Sequence, residues 1–125
     1  MKIVIQSNCG PFGLSRRALE AVREVLPARL VQQIDELLVV ADRWGVEPFE
    51  YDRKRRVAYF SYPGNSNDEE VRRKALHELL LGFARLDAGA EFRTHLSERQ
   101  REEFRAFIEQ WYAQCATAIT NAAHD

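Results

Sequence analysis

The sequence is poor in the residues that build covalent or metal frameworks. Cysteine occurs twice, at Cys9 and Cys115, and histidine three times. Two thiols do not make a disulfide scaffold, and in a reducing compartment they read as free. Long hydrophobic runs are also missing. The longest purely apolar stretch, Leu37 to Ala41, has five residues, against the roughly 20 that span a bilayer. At the N-terminus Ile3-Val4-Ile5 is too short for the core of a signal peptide, so the chain is expected in the cytoplasm and away from membranes. An excess of charge of one sign is lacking too: 18 basic residues stand against 19 acidic ones, leaving −1. That balance does not describe a strongly basic nucleic-acid protein, although local clusters need separate weighing. The P-loop lysine pattern and the spaced glycines of dinucleotide sites are absent, and no cofactor is expected.

What is present is the composition of a folded globule. The chain has 125 residues, 46% hydrophobic and 30% charged. It fits a single domain, residues 1–125, able to bury about 65–70% of its unfolded surface without a disulfide or a metal.

Lys2 to Gln6 reads as a strand with three β-branched residues in a row. Gly10, Pro11 and Gly13 supply a turn, and Ser15 is a helix N-cap for Arg16 to about Leu26. Pro27 breaks that helix. From Ala28 to Trp44, Leu30, Val31, Ile34, Leu37, Leu38, Ala41 and Trp44 keep helical spacing, with Gly45 as a C-terminal cap. Val39 and Val40 fall outside the stripe. Leu37 to Val40 also reads as a short strand, and segment length favours the helix. Pro48 to Asp52 and Arg55 to Tyr62 form a β-hairpin that turns near Asp52-Arg53-Lys54. Asn67 followed by Asp68-Glu69-Glu70 opens a helix with a capping side chain and acids against the positive end of the dipole. Its buried face is Val71, Ala75, Leu76, Leu79, Leu80, Phe83 and Leu86, and Ala88-Gly89-Ala90 ends it. Ser97, with Gln100 three residues on, opens a last long helix whose stripe runs Phe104, Phe107, Ile108, Trp111, Tyr112, Cys115 and Ile119. The expected order is β-α-α-β-β-α-α. This is an α+β fold with a small three-stranded, mostly antiparallel sheet and four helices.

Three clusters invite a chemical reading. Cys9 stands before a helix N-terminus, where a thiol is activated and an anion is held. Phosphatase loops of the form C-x5-R use that geometry, but here the required position is Ser15 and the arginine comes one later, at Arg16. One residue of slip turns the guanidinium away from a bound phosphate. His77-Glu78 suggests a zinc helix, yet a second histidine four residues on is needed and that position is Leu81. His95 stands at no ligand spacing to either residue. No catalytic residue and no metal ligand is assigned.

The third cluster is Arg53-Lys54-Arg55-Arg56 at the hairpin tip, beside Tyr51, Tyr59, Phe60 and Tyr62. Basic residues among aromatics suit single-stranded RNA. A solvated turn, or a site for an acidic protein, explains them as well. Arg72-Arg73-Lys74 extends the patch, and Asp68-Glu69-Glu70 is near enough in sequence to neutralise part of it. Leu81 lies roughly 140° off its helix stripe at about 100° per residue. Leu81 and Val39 read either as lone exposed residues or as marks of a protein-binding or homodimer surface.

The opening, Met1-Lys2-Ile3-Val4-Ile5 and then Gly10-x-Phe12-Gly13-Leu14-Ser15, is similar to small phage and bacterial proteins that begin MKIVI and continue into a GGFGLS turn. Pro11 replaces their second glycine, and Asn8-Cys9 their Cys-Tyr pair. The resemblance covers about fifteen residues. It implies a bacterial or mobile-element origin and no catalytic residue. In type the chain also resembles the immunity proteins of polymorphic toxins, such as those of contact-dependent inhibition, which are small non-enzymatic α+β proteins that plug a toxin's active site. That resemblance carries no motif and works by analogy. It implies a protein-binding role, with Asp68, Glu69 and Glu70 as the acidic face for a basic toxin cleft. The alternative is an RNA- or DNA-binding accessory protein using Arg53, Lys54, Arg55 and Arg56.

Overall fold

The computed structural model describes residues 1–6, 14–40, 48–61, 69–89 and 97–122, apart from the side chains of 107 and 116–122. The order is β1 (Lys2–Ile5), α1 (Arg16–Val25), α2 (Ala28–Val31), β2 (Glu36–Val39), β3 (Phe49–Asp52), β4 (Val57–Phe60), α3 (Glu69–Asp87) and α4 (Glu98–Ala122). The four strands form one sheet in the order β1-β2-β4-β3. β1 and β2 run parallel, as do β2 and β4, and only β3 is antiparallel to its neighbour.

The architecture is therefore α+β, but the expected three-stranded, mostly antiparallel sheet is replaced by a four-stranded mixed one. The difference lies in one segment. The helix expected over Ala28 to Trp44 stops after a single turn at Val31, and Glu36–Val39 enters the sheet between β1 and β4. A strand here sends Leu37 and Val39 into the core on one side and Leu38 to the other. A helix would have left Val39 and Val40 off its apolar stripe. Period two accommodates the run better than period 3.6. The residues expected to continue that helix, among them Ala41, Trp44 and Gly45, lie outside the described residues.

Sequence-local devices hold the helix ends. The Ala18 N–H donates to Ser15 Oγ at 3.1 Å, as a cap should. At α4 the Ser97 N–H donates to Gln100 Oε1 at 2.9 Å and the Gln100 N–H to Ser97 Oγ at 3.2 Å, a reciprocal capping box. Gly89 closes α3 with φ +73°, which a residue without Cβ adopts freely.

Register assigns the two sheet faces. Ile3, Leu37, Ala58 and Tyr51 are cross-strand neighbours in one row, and Ile5, Val39, Phe60 and Phe49 in the next. Both rows belong to the core or pack against it. α1 lies by β1, α3 by β3, and α4 bridges α1 and α3. Ile108, Trp111 and Cys115 of α4 are buried at that junction. Because α3 has the sheet on one side and α4 on another, it is buried nearly all round from Leu79 to Leu86. This corrects the reading of the two off-stripe residues. Leu81 is 6% exposed and Val39 5%, so neither marks a surface.

Candidate functional site

The opposite face of the sheet is built from the alternate residues of the same strands. Lys2, Glu36, Val57 and Asp52 share one row, and Val4, Leu38, Tyr59 and Glu50 the next. Val40 continues the face beyond β2. Val4, Leu38, Val40, Val57 and Tyr59 are partly buried, yet none is among the side chains that pack on the core. The result is an apolar strip over the two central strands. Among the described residues three carboxylates, Glu36, Glu50 and Asp52, rim it, with Lys2 at the β1 edge. An apolar centre with a charged rim is the composition of a binding surface.

The hairpin tip sits at one end of this face. Asp52 Oδ1 accepts from the Lys54 N–H at 3.0 Å and the Arg55 N–H at 3.2 Å, which fixes the turn. Arg56 has φ +57°, a left-handed conformation. Its carbonyl accepts from the Asp35 N–H at 2.8 Å, its Nε bonds Asp35 Oδ1 at 3.0 Å, and its guanidinium also reaches the Gln32 carbonyl. Arg56 is thus engaged in tying the hairpin to the start of β2. Arg55 lies 3.9 Å from Asp52. Arg53 and Lys54 are exposed and form no ion pair among the described residues.

The aromatics near the tip do not form a stacking platform. Tyr51 turns inward and its hydroxyl donates to the Gln33 carbonyl. Phe60 is in the core. Tyr59 lies on the outer face, and Tyr62 is outside the described residues.

Glu69 and Glu70, two of the acids expected to face a partner, stand at the start of α3. Asp68 lies outside the described residues. Glu69 is 3.9 Å from Arg73 and Glu70 is 3.4 Å from Lys74, both exposed pairs one helical turn apart. Arg29 of α2 binds Asp87 at the far end of α3 with both carboxylate oxygens, at 3.0 and 2.8 Å. The Gln32 contact to Arg56 puts that same end beside the hairpin tip. The start of α3 is then about 27 Å away, at 1.5 Å per residue. Arg72-Arg73-Lys74 does not extend the tip patch, and Glu69 and Glu70 neutralise their own helix instead.

Between α3 and α4 runs a groove of about 310 Å³, lined by His77, Glu78, Leu81, Arg101, Glu102, Arg105, Ile108 and Glu109. Leu81 and Ile108 are its buried apolar members. Ion pairs lace its rim: Arg101 to Glu78 at 3.5 Å, and Arg105 to Glu102 at 3.1 Å and to Glu109 at 3.4 Å. His77 stacks on Tyr112, centroids 4.9 Å apart and planes 20° from parallel. Burial pushes its imidazole below the ordinary value. Arg73 adds to that, while Glu109 and Glu78 oppose it. Among the described residues no group of three or more histidine, cysteine or carboxylate side chains is placed to hold a metal; His95 lies outside them.

Cys9 is also outside the described residues. The Arg16 guanidinium donates to the Ile3 carbonyl of β1 at 3.1 Å. Cys115 is buried, and burial raises its thiol pKa. The outer-face strip of Val4, Leu38, Val57 and Tyr59 is not legible in the sequence, where segment length favours helix over strand for Leu37 to Val40. No protein-family model, curated protein or solved structure matches the chain.

Proposed function

We propose that this chain is a non-enzymatic binding protein whose partner is a basic protein, of the kind met in immunity proteins that neutralise a cognate toxin. The observation that carries the reading is the outer sheet face. Leu38, Val57 and Tyr59 form an apolar centre that packs on nothing in the core, and Glu36, Glu50 and Asp52 rim it. Apolar anchors inside a mostly acidic rim favour a basic partner, and nuclease toxins present basic clefts. The acidic contribution read for Asp68, Glu69 and Glu70 is shared with the sheet; Glu69 and Glu70 remain solvent-exposed beside Arg73 and Lys74.

Co-expression with the product of the adjacent reading frame tests this. The expected outcome is a stable complex, growth protection from that product, and loss of both on Leu38→Lys, which sets a cation at the centre of the face. Neither complex nor protection with the unmutated chain ends the reading. A nucleic-acid role through the hairpin tip is the second reading, supported by the exposed and unengaged Arg53 and Lys54; the inward turn of Tyr51 counts against it.

A further inference from the structure

We propose that the groove between α3 and α4 binds a small alkylammonium ion, a free amine carrying a short apolar chain. The site is independent of the outer sheet face. α3 packs on the core side of the sheet, where Phe49 meets Gly82 and Phe83, and α4 lies against α3 and α1.

The lining suits an amphipathic guest. A volume of about 310 Å³ is at the small end of the range for ligand sites. Leu81 of α3 and Ile108 of α4 are its buried apolar members. An alkyl chain laid against them is withdrawn from water.

Charge chooses the head group. Among the described residues that line the groove, three carboxylates, Glu78, Glu102 and Glu109, stand against two guanidinium groups, Arg101 and Arg105. Both arginines are engaged: Arg105 with Glu102 at 3.1 Å and Glu109 at 3.4 Å, and Arg101 with Glu78 at 3.5 Å. An incoming anion competes with these carboxylates for the same donors. A cation supplies the charge that the set lacks. Glu78 is the strongest point of attraction. Its side chain is 26% exposed, against 67% for Glu102 and 66% for Glu109, so solvent screens it least. Its contact to Arg101 is at the long limit of a hydrogen bond, which leaves it acceptor capacity for an ammonium group.

His77 adds a pH-dependent wall. Its ring is stacked on Tyr112, and burial keeps it neutral at about pH 7. The groups that face it are Arg73 and Glu78 on α3, and Glu109 and Tyr112 on α4. Protonating this imidazole sets a second cation beside the guest. Proton and amine therefore oppose one another, and linkage makes the opposition reciprocal: the guest lowers the pH at which His77 charges.

The test follows the His77 imidazole Hε1 resonance of the full chain by NMR, assigned with His77→Phe. The probes are n-butylamine hydrochloride, sodium butyrate and sodium chloride at matched ionic strength. Butylammonium is expected to move the resonance saturably at about pH 7.5, to bind about threefold more weakly once His77 is protonated, and so to lower the His77 midpoint by about half a pH unit. Butyrate is expected to do no more than chloride. Glu78→Gln is expected to weaken amine binding about tenfold. The titrations of the unmutated chain stand whether or not that variant folds. Equal responses to butylammonium and chloride, or a midpoint that saturating amine leaves unmoved or raises, overturn the proposal. Saturation by butyrate with a raised midpoint makes the arginines an anion site and overturns it as well. Acetyl-lysine methylamide presents the same ammonium on a peptide unit. Tighter binding of that probe than of butylamine gives the groove to a protein's lysine and overturns the free amine as its occupant.

Discussion

The Phe49 side chain occupies the space a Cβ on Gly82 would need: that atom would lie 2.2 Å from Phe49 Cγ and 2.5 Å from its Cβ. The near atoms belong to the root of the side chain, so no rotation of the ring relieves the overlap. α3 can approach β3 this closely only because residue 82 is glycine. The same contact sets the Phe49 and Phe83 rings edge to face, centroids 5.0 Å apart. Gly82→Ala is therefore a contest between two known effects. Helix propensity gains about 1 kcal/mol. Overpacking a filled core costs about 1–3 kcal/mol. With the backbone itself forced to move, the cost falls toward the upper end, about 2–3 kcal/mol, and a net loss of about 1–2 kcal/mol is expected in urea unfolding. Adding Phe49→Val should recover part of it. A stabilised single variant would mean that α3 and β3 are not packed this way.

The arginines on β1 carry a second expectation. Arg16→Ala with Arg23→Ala removes two charge-assisted hydrogen bonds from edge carbonyls. Both side chains are solvent-accessible, so each is worth only about 1 kcal/mol after screening. The larger consequence is a bare parallel edge of Ile3 and Ile5. Light scattering should show concentration-dependent association of the double variant, while the unmutated chain stays dispersed. A double variant that scatters no more than its parent would show that the edge needs no plug.

Much of this fold was legible locally. Ser15 capping α1, Ser97 with Gln100 capping α4, and the β3–β4 hairpin all follow from side-chain chemistry acting within a few residues. β2 was not, because a run such as Glu36-Leu37-Leu38-Val39 suits helix and strand alike until its neighbours are known. Its pairing with β1 and β4 is long-range, and no local residue announces it. The sites suffered from the same gap. Leu81 lies off the apolar stripe of α3 and is buried because that helix has two neighbours, the sheet and α4. The acidic rim of Glu36, Glu50 and Asp52 exists only once parallel and antiparallel registers bring three separate strands side by side.

His77 links pH to stability. Burial against Tyr112 lowers its folded pKa beneath the ordinary histidine value of about 6.5. Below that pH the unfolded chain takes up the proton before the folded one does. Unfolded chains then bind more protons, so stability rises with pH. The contribution of His77 is complete above about pH 6.5 and is lost as pH falls toward the folded pKa. His77→Phe keeps a ring for the stack and removes the titration. Thermal unfolding from neutral pH downward should fall less steeply for this variant than for its parent. Equal slopes would place His77 in solvent.

Charge reversal at the hairpin tip separates the two functional readings. Arg53 and Lys54 are exposed, and the turn is held by Asp52 through the backbone N–H groups of Lys54 and Arg55, not through their side chains. Arg53→Glu with Lys54→Glu is expected to change stability by no more than about 0.5 kcal/mol. A nucleic-acid role requires phosphate contacts, and these give affinity that falls steeply with salt. Among the described residues Arg53 and Lys54 form no ion pair at the tip, while Arg56 is anchored on Asp35 and Arg55 lies beside Asp52. Two charges with Tyr51 turned inward offer little hold on a single strand. The unmutated chain should show a flat titration with short mixed-sequence RNA at low salt, and the double variant should still form the complex with its protein partner. Salt-sensitive RNA binding abolished by the two substitutions would instead move the function from the outer sheet face to the tip.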